Sequence, residues 1–445
     1  MKNLDMTEGR ISKQIILYAI PLLLGNILQQ LYNAFDAIVV GNFVSNEALA
    51  AVGASGPMIN MIIAFFIGMA TGASVLISQF FGAKDAKGMH DAVHTAMLLS
   101  LIIGLILAVV GVTAAETLLG WMSTPPEVVA DALTYLRIFF YGMPALIVYN
   151  MGAAVLTAVG DSKRPLYFLA ISAFINITGN LIFVNVFHMG IAGVAYSTII
   201  AEAISAVLVV ITLCRSNGNH RLILRELKIS GTIVKRVAQI GLPGGLQQAI
   251  ISGSNIMVQS YINRLGAPIA AGYSADIKVD AFIMLPTMTM ALAATTFVGQ
   301  NLGAKNVKRA RQGVKVSLGL GLAVTFMISV LVLVFQNPLL RIFSPDPQIV
   351  GYGAQFMRVF VPSYICLCFT QIIPGALRGA GDVNFATITC IICFVVIRQL
   401  YLFLITPISH TITTVALGYP ITWLIAAVVL ILYYRKSDWS RFEAA

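Results

Sequence analysis

An all-α integral membrane fold of twelve transmembrane helices, set as two parallel six-helix bundles about a pseudo-twofold axis along the membrane normal, is what this 445-residue sequence predicts. Three observations predict it. Hydrophobic residues make up 58% of the chain and charged residues 10%, where soluble domains average about 45–50% and about 25%. Apolar stretches long enough to cross a hydrocarbon core of about 30 Å as helices recur between short polar interruptions. The chain is also written twice: Gln79-Phe80-Phe81-Gly82-Ala83-Lys84 returns 221 residues later as Gln300-Asn301-Leu302-Gly303-Ala304-Lys305. Leu136-Arg137-Ile138-Phe139 and Gly160-Asp161 return at the same offset, as Met357-Arg358-Val359-Phe360 and Gly381-Asp382. Lys13 and Pro21 match Lys235 and Pro243 at 222, which places one single-residue indel near the turn from Gly41 to Glu47. Several landmarks in one register mark one fold used twice.

The elements follow in order. Span one, 14–40, comes after a polar start that is unlike a cleavable signal, carries Pro21, and ends at Gly41-Asn42. Span two, 50–80, carries Gly68 and Gly72; span three is 92–115, and span four, 130–157, contains Pro144. Span five, 165–187, bears Asn176 and Asn180, and span six, 190–213, bears Thr198 and Glu202. The polar stretch from Arg215 to Arg236, with six basic residues and the acid Glu226, reads as a linker with a short surface helix. Spans seven to twelve fall at 237–262, 271–300, 313–336, 350–374, 384–405 and 411–434, and carry Pro243, Pro286, Gly319, Gly321, Pro362, Pro374 and Pro420. Intramembrane prolines and glycines serve as kinks or close-packing points, and their density here suggests helices bent around a cavity. The predicted organisation is a bundle over 1–213, a linker over 214–236 and a bundle over 237–445. An even number of spans in each half makes the repeats parallel rather than inverted.

Charge sets the orientation. The net charge is +10, and 22 of the 28 Lys and Arg residues fall in the termini and alternate loops on one side, from Lys2, Arg10 and Lys13 through Lys84, Lys163 and Arg221 to Lys305, Arg378 and Arg441. That side is expected to be cytoplasmic, with both termini inside and the chain in the cytoplasmic membrane. Opposite loops hold Arg264 and Arg341 among acids such as Glu47, Glu116, Glu127, Asp131 and Asp346. This placement argues for a lipid bilayer as partner and against nucleic acid. No loop is large enough for a catalytic domain, so an enzyme is not expected. The five cysteines, Cys390-x-x-Cys393 included, lie in or beside membrane or cytoplasmic segments, and are expected free and without metal. His90 and His94 form an H-x-x-x-H with no third ligand nearby in sequence, so no metal is expected there.

An ionised side chain at the centre of a membrane helix costs about 2.5–3.5 kcal/mol on insertion scales, so each intramembrane charge is a functional candidate. In the first half these are Asp36 and Glu202. Asp36 has no basic residue in its own span or the next, which suits an acid that exchanges an ion. Asn176 and Asn180 share a helix face, as do Thr198 and Glu202. Together with Asp36 they can converge as oxygen ligands for a proton or sodium, although single Asn and Thr residues in membranes more often bond between helices. The offset carries Asp36 onto Met257 or Val258, so the second half lacks its twin. It bears instead Asp276, Lys278 and Asp280 in span eight and Arg398 in span eleven. Asp276 and Asp280 share a face and Lys278 points about 200° away, which makes Arg398 the expected partner of the acid pair. These charges sum to zero and fit a structural network as well as a substrate site. Tyr32, Phe35, Phe65, Phe66, Tyr141, Tyr149, Phe282, Met284, Met288 and Met290 are expected near these charges, either lining a site for flat cations or packed against lipid and core.

The six-plus-six parallel repeat, the basic linker, the two Q-x-x-G-A-K turns, Ala376-Leu377-Arg378-Gly379-Ala380-Gly381-Asp382 after span ten, and Asp36 in span one together resemble the multidrug and toxic compound extrusion (MATE) transporters over essentially the whole chain. The resemblance implies two bundles in a V that alternate between inward- and outward-open states, and export of small cationic or amphipathic molecules by a monomer, driven by inward protons or sodium without a cofactor. Asp36 matches the family's coupling acid, Asn176 the asparagine of span five and Thr198 the threonine of span six. Asn180 stands where some members have a second acid, and the acids that some sodium-coupled members carry in spans seven and ten are absent, so protons are the expected ion. The ion-coupling set is then Asp36, Asn176, Asn180, Thr198 and Glu202. The substrate-cavity set is Tyr32, Tyr141, Asp276, Lys278, Asp280, Met284, Met288 and Arg398. A flippase for a lipid-linked or amphipathic substrate is the alternative, and it calls for a cavity rich in Arg and Lys.

Overall fold

The computed structural model describes residues 4–121 and 126–439, and all regular structure in them is helical. Lys2 and Arg441 lie outside the described residues, as does the side chain of Glu47. Two compact units emerge. Unit 1 comprises residues up to Asp5 and Ile20–Leu242, and unit 2 comprises Met6–Ala19 and Pro243–Ala445.

Unit 1 contains most of α1 (Ile11–Val39), then α2 (Asn46–Gly82), α3 (Ala86–Trp121), α4 (Pro126–Tyr141), α5 (Met143–Ala158), α6 (Lys163–Asn185), α7 (Gly190–Cys214) and the opening turns of α8 (Gly231–Asn263). The α4 and α5 helices are one span bent by 49° at Gly142. The α8 opening fits into unit 1 because two glycines remove the side chains between backbones. A Cβ on Gly72 would stand 2.5 Å from the Val237 carbonyl oxygen and 2.7 Å from the Gly241 nitrogen.

Unit 2 contains the rest of α8, then α9 (Ala267–Gly303), α10 (Val307–Val334), the short α11 (Gln336–Arg341), α12 (Pro347–Phe360), α13 (Tyr364–Gly379), α14 (Asn384–Ile391), α15 (Arg398–Ile405) and α16 (Ile412–Lys436). The α12–α13 pair makes one span, as does the α14–α15 pair. The opening turns of α1 pack here. Met6 is fully buried, its N–H donating to Gln300 Oε1 at 3.0 Å and its carbonyl accepting from Asn301 Nδ2 at 3.2 Å; Tyr18 Oη lies 3.0 Å from Thr296 Oγ1.

Among the described residues, ten helical stretches are long and apolar enough to cross a membrane, and the bent α4–α5 pair, taken as one span, makes eleven. The twelfth, α8, spans 33 residues but carries Gln247, Gln248, Ser252, Ser254, Asn255 and Gln259. Those polar side chains lower its hydropathy.

The repeat is visible bond by bond. Lys84 and Lys305 both take left-handed backbone angles, φ 53° and 59°, as do Gly160 and Gly381 at 87° and 74°. In each copy the turn closes with the same bonds: Asp85 N to Phe80 O and Asn306 N to Asn301 O, then Asp161 N to Leu156 O and Asp382 N to Leu377 O. The register shift also has a structural cause. Residues Val40–Val44 form a π-helix, whose wider turns hold one more residue than an α-turn, and this lies in the window where the offset falls from 222 to 221. A second π-helix, Ile392–Ile397, interrupts span eleven and adds a residue to the second half. Helix starts bear this out: α6 and α14 begin 221 apart, at Lys163 and Asn384, while α7 and α16 begin 222 apart, at Gly190 and Ile412.

Candidate functional site in the first unit

A cavity of about 600 Å³ opens inside unit 1, lined by residues of α1, α2, α4, α5, α6 and α7. Asp36 and Glu202 are its acids, and no Lys, Arg or His lies among the described lining residues. Helix spacing brings these groups together. On α6, Asn176 and Asn180 are four residues apart and both fully buried, so their amides stack along one face. Asn180 Nδ2 donates to Asp36 Oδ1 at 2.7 Å and to Asn176 Oδ1 at 3.0 Å. Asn176 Nδ2 donates in turn to Thr198 Oγ1 at 3.2 Å, and Thr198 donates to the Val194 carbonyl at 3.0 Å. The ion-coupling candidates Asp36, Asn180, Asn176 and Thr198 therefore form one hydrogen-bonded chain across three helices.

Its free oxygens are the informative part. Asn180 Oδ1 and Glu202 Oε2 are buried with no hydrogen-bond partner among the described residues, and the buried Tyr32 hydroxyl has only Thr198 within reach. Buried polar atoms are normally paired, so oxygens left open around an acid call for a ligand. Tyr32 faces Asp36, Glu202 and Thr198. Tyr135 and Tyr149 also line the cavity, next to Asp36 and Glu202 respectively. Sequence reasoning missed Tyr135, along with Gln29, Asn33, Asn60 and Asn150. Their signal was present as polar residues inside apolar spans. Tyr141, by contrast, is 62% exposed and is not among the lining residues.

The charged set of unit 2 departs from expectation. Asp276 and Asp280 are buried on one face of α9, but Arg398 does not pair with them. Its guanidinium donates to Asn255 Oδ1 and Thr422 Oγ1, each at 3.2 Å, and stacks 4.0 Å from the centroid of the Tyr419 ring. The π-helix just before Arg398 sets the rotation that directs the side chain toward α8 and α16. Lys278 is exposed on the opposite face of α9, with its ammonium over the Phe343 ring. Met288 is exposed and Met284 half-buried.

The histidine pair also needs correction, because a third group does lie nearby. The linker folds back so that Glu226 Oε2 meets His90 Nε2 at 2.8 Å. His94 is nevertheless committed at both nitrogens: Nδ1 lies 2.7 Å from the His90 carbonyl, and Nε2 accepts from Ile223 N at 3.0 Å. The trio is a clamp on the linker. A metal there would have to break one of those backbone bonds.

Eleven apolar spans, a polar twelfth helix, an internal repeat and an intramembrane cavity lined by acids define a polytopic membrane transporter. The particular family follows from comparison with known proteins: the MatE family model matches residues 21–182 and again 243–404, and the chain belongs to that family. The two matched ranges stand 222 apart at both ends, as the two π-helices require. Among curated relatives, the chain is 30% identical to the "Probable multidrug resistance protein YpnP" of Bacillus subtilis, over 100% of this chain and 99% of the relative. It is 28% identical to "Probable multidrug resistance protein YoeA" of the same organism, over 95% and 93%. A solved MATE structure described as in the bent conformation shares the fold, with a TM-score of 0.93 at 24% identity and 100% of both chains covered.

Proposed function

We propose that this transporter exports organic cations or amphipathic drugs from the cytoplasm by alternating access, in exchange for protons that enter from outside. One observation carries the reading: the unit 1 cavity pairs two acids with unpartnered buried oxygens and has no basic residue among its described lining residues. Such a cavity attracts cations, and a cation and a proton compete for the same carboxylate. Asp36 is charged when it holds a cationic substrate or stands empty, and it becomes neutral when a proton arrives, which releases the substrate. The helix that bears it contains Pro21, whose missing N–H leaves a carbonyl unbonded and makes a point of bending.

A proton suits the geometry better than sodium. Asn180 presents its NH₂, not its carbonyl, to Asp36. That arrangement supports a lone carboxylate that gains and loses a proton, whereas a metal ion shared by the two would need the amide reversed. The membrane potential supplies roughly 2.3 kcal/mol per charge per 100 mV, so one proton sustains a gradient of about fiftyfold for a neutral substrate. The relatives' names, as multidrug resistance proteins, support the substrate class. A flippase for lipid-linked phosphates lacks the basic cavity it needs, since Arg398 is buried and engaged with neutral partners.

The test is efflux of a fluorescent cationic dye from proteoliposomes with a pH gradient and a sodium gradient imposed separately. Efflux driven by the pH gradient alone is expected. Efflux that follows only sodium, or that ignores both gradients, would overturn the reading.

A further inference from the structure

Unit 2 contains a cluster that the proposed cavity chemistry does not use. Asp276 is fully buried and both of its carboxylate oxygens lack a hydrogen-bond partner among the described residues, as does Oδ1 of Asp280 one turn along. The Tyr364 hydroxyl, 2% exposed, lies beside Asp280 as its hydrogen-bonding neighbour. These are not surface acids. Two ionised carboxylates one turn apart in a buried position, with no cation bonded to either among the described residues and the Tyr364 hydroxyl as the donor beside Asp280, are not a stable arrangement.

The other charged and titratable groups around them can be named. From α9 itself come Tyr273 and, on the far face, Lys278; α13 supplies Tyr364; α15 supplies Arg398; and α16 supplies Tyr419. Arg358 of α12 and Arg341 of α11 are exposed. Arg398 is therefore the one buried cation of this group, and it balances one of the two carboxylates without touching either. Charge balance leaves one proton to be shared by the acid pair.

The pair is also wired to the helix that repeats α1. Tyr273, packed beside the acids, lies 3.0 Å from the Tyr419 hydroxyl; Tyr419 donates to Asn255 Oδ1 at 3.5 Å, and Arg398 donates to the same oxygen at 3.2 Å. Asn255 is on α8, 222 residues after Asn33, and α8 carries Pro243 where α1 carries Pro21. Beyond the second π-helix the offset is again 222, so Arg398 occupies the place of Asn176, the hub of the polar chain in unit 1. Each unit thus holds a polar chain that touches its proline-bearing first helix, and the two chains share the position occupied by Asn176 in unit 1 and Arg398 in unit 2. In unit 1 the acid is on that helix, and in unit 2 it is on the next.

We propose that Asp276 and Asp280, with the Tyr364 hydroxyl, form a second proton-binding site inside unit 2, separate from Asp36, whose occupancy is relayed through Tyr273, Tyr419 and Arg398 to Asn255 on α8. A proton is the ligand because the site offers two carboxyl groups and one hydroxyl, fewer oxygens than a hard metal cation gathers. When the shared proton leaves, the cluster acquires a net negative charge. That charge draws the tyrosine hydroxyls and Arg398 toward α9 and away from Asn255.

The site can be read without transport, so its failure is distinguishable from failure of the proposed export function. Infrared difference spectra of the full-length protein in lipid nanodiscs, titrated in pH, report protonated carboxyl groups directly. A protonated-carboxyl band that survives in Asp36→Asn and is lost in Asp276→Asn/Asp280→Asn is expected, together with one fewer proton released per molecule on an alkaline jump in the double variant. Each single variant, Asp276→Asn or Asp280→Asn, provides the same reading if the double variant fails to fold, with a displaced or missing band. An unchanged band in all three would overturn the proposal. So would loss of the wild-type band on adding sodium at constant pH, which would make the site a metal-cation site.

Discussion

Replacing Gly72 with alanine should loosen the seat of α8 in unit 1 by an amount the geometry sets. The added methyl carbon would stand 2.5 Å from the Val237 carbonyl oxygen, 2.7 Å from Gly241 N and 2.9 Å from Gly241 Cα. All three are backbone atoms, so no side chain can rotate away and the helices themselves must part. Ordinary contact begins at 3.4 Å, which requires a displacement on the order of 0.5–1 Å, and a gap of that size forfeits a quarter to a half of each neighbouring dispersion contact. Overpacking of this kind costs about 1–3 kcal/mol. In a unit of 150–250 residues each kcal/mol lowers the melting midpoint by about 2–4 °C, so a fall of roughly 2–12 °C is expected. The control is Gly253→Ala, also within α8, where nothing lies within 4 Å of the added carbon. Gly241→Ala meets Met69 Cα at 2.8 Å in the reciprocal contact, and Gly72→Ala/Gly241→Ala should cost less than the sum of the two, since one separation accommodates both. The assay is thermal unfolding of the purified protein in detergent. Gly72→Ala melting together with Gly253→Ala would refute the close-packing argument.

Asn180→Ala removes the donor 2.7 Å from Asp36; a hydrogen bond to a charged group is worth about 1.5–3 kcal/mol, so the proton concentration that half-saturates gradient-driven efflux should shift by about ten- to a hundredfold. Thr95→Val breaks the bonds from Thr95 Oγ1 to Lys228 O and from Ser230 N to Thr95 Oγ1, each 3.1 Å, and should speed tryptic cleavage of the linker by about tenfold while leaving the unit 1 cavity intact. His220 lies outside the membrane spans, and burial followed by the nearby Arg164 guanidinium holds its pKa below 6.5, although Asp161 opposes them. The unfolded chain therefore takes up the proton more readily than the folded one, and stability should decline as pH falls below about 6.5. Melting curves from pH 7.5 to 5 should show a shallower decline in His220→Gln, and parallel curves would contradict the assignment.

Composition and period carried much of the architecture, because a bilayer admits few solutions for a backbone that must satisfy itself. The coupling chain was legible for the same reason: Asp36, Asn180, Asn176 and Thr198 are polar residues on helical faces inside apolar spans, and the fold brings each to within 3.2 Å of the next. Arg398 was misread because complementary charge says nothing about rotation. A π-helix immediately before it turns the side chain toward Asn255 and Thr422, and no local residue pattern announced that π-helix. The single-residue shifts between the halves did contain the information, once read as extra residues held in wide turns. Glu226 reaches His90 across 136 positions of sequence, a contact made by the linker folding back on α3. Tyr141 and Tyr135 differ by six positions, yet only Tyr135 lines the cavity. Both lie on α4, where six positions turn the side chains about 120° apart, so the one helix does not present both to the cavity.

Asp36→Asn in proteoliposomes, followed by dye flux and dye binding in the same preparation, tests the central claim most directly. The account predicts that the variant binds the cationic dye more weakly than the wild type and no longer moves it against its gradient when a pH gradient is imposed, because the neutral amide permanently mimics the protonated, substrate-releasing acid. Uphill, gradient-driven transport by Asp36→Asn at the wild-type rate would contradict it.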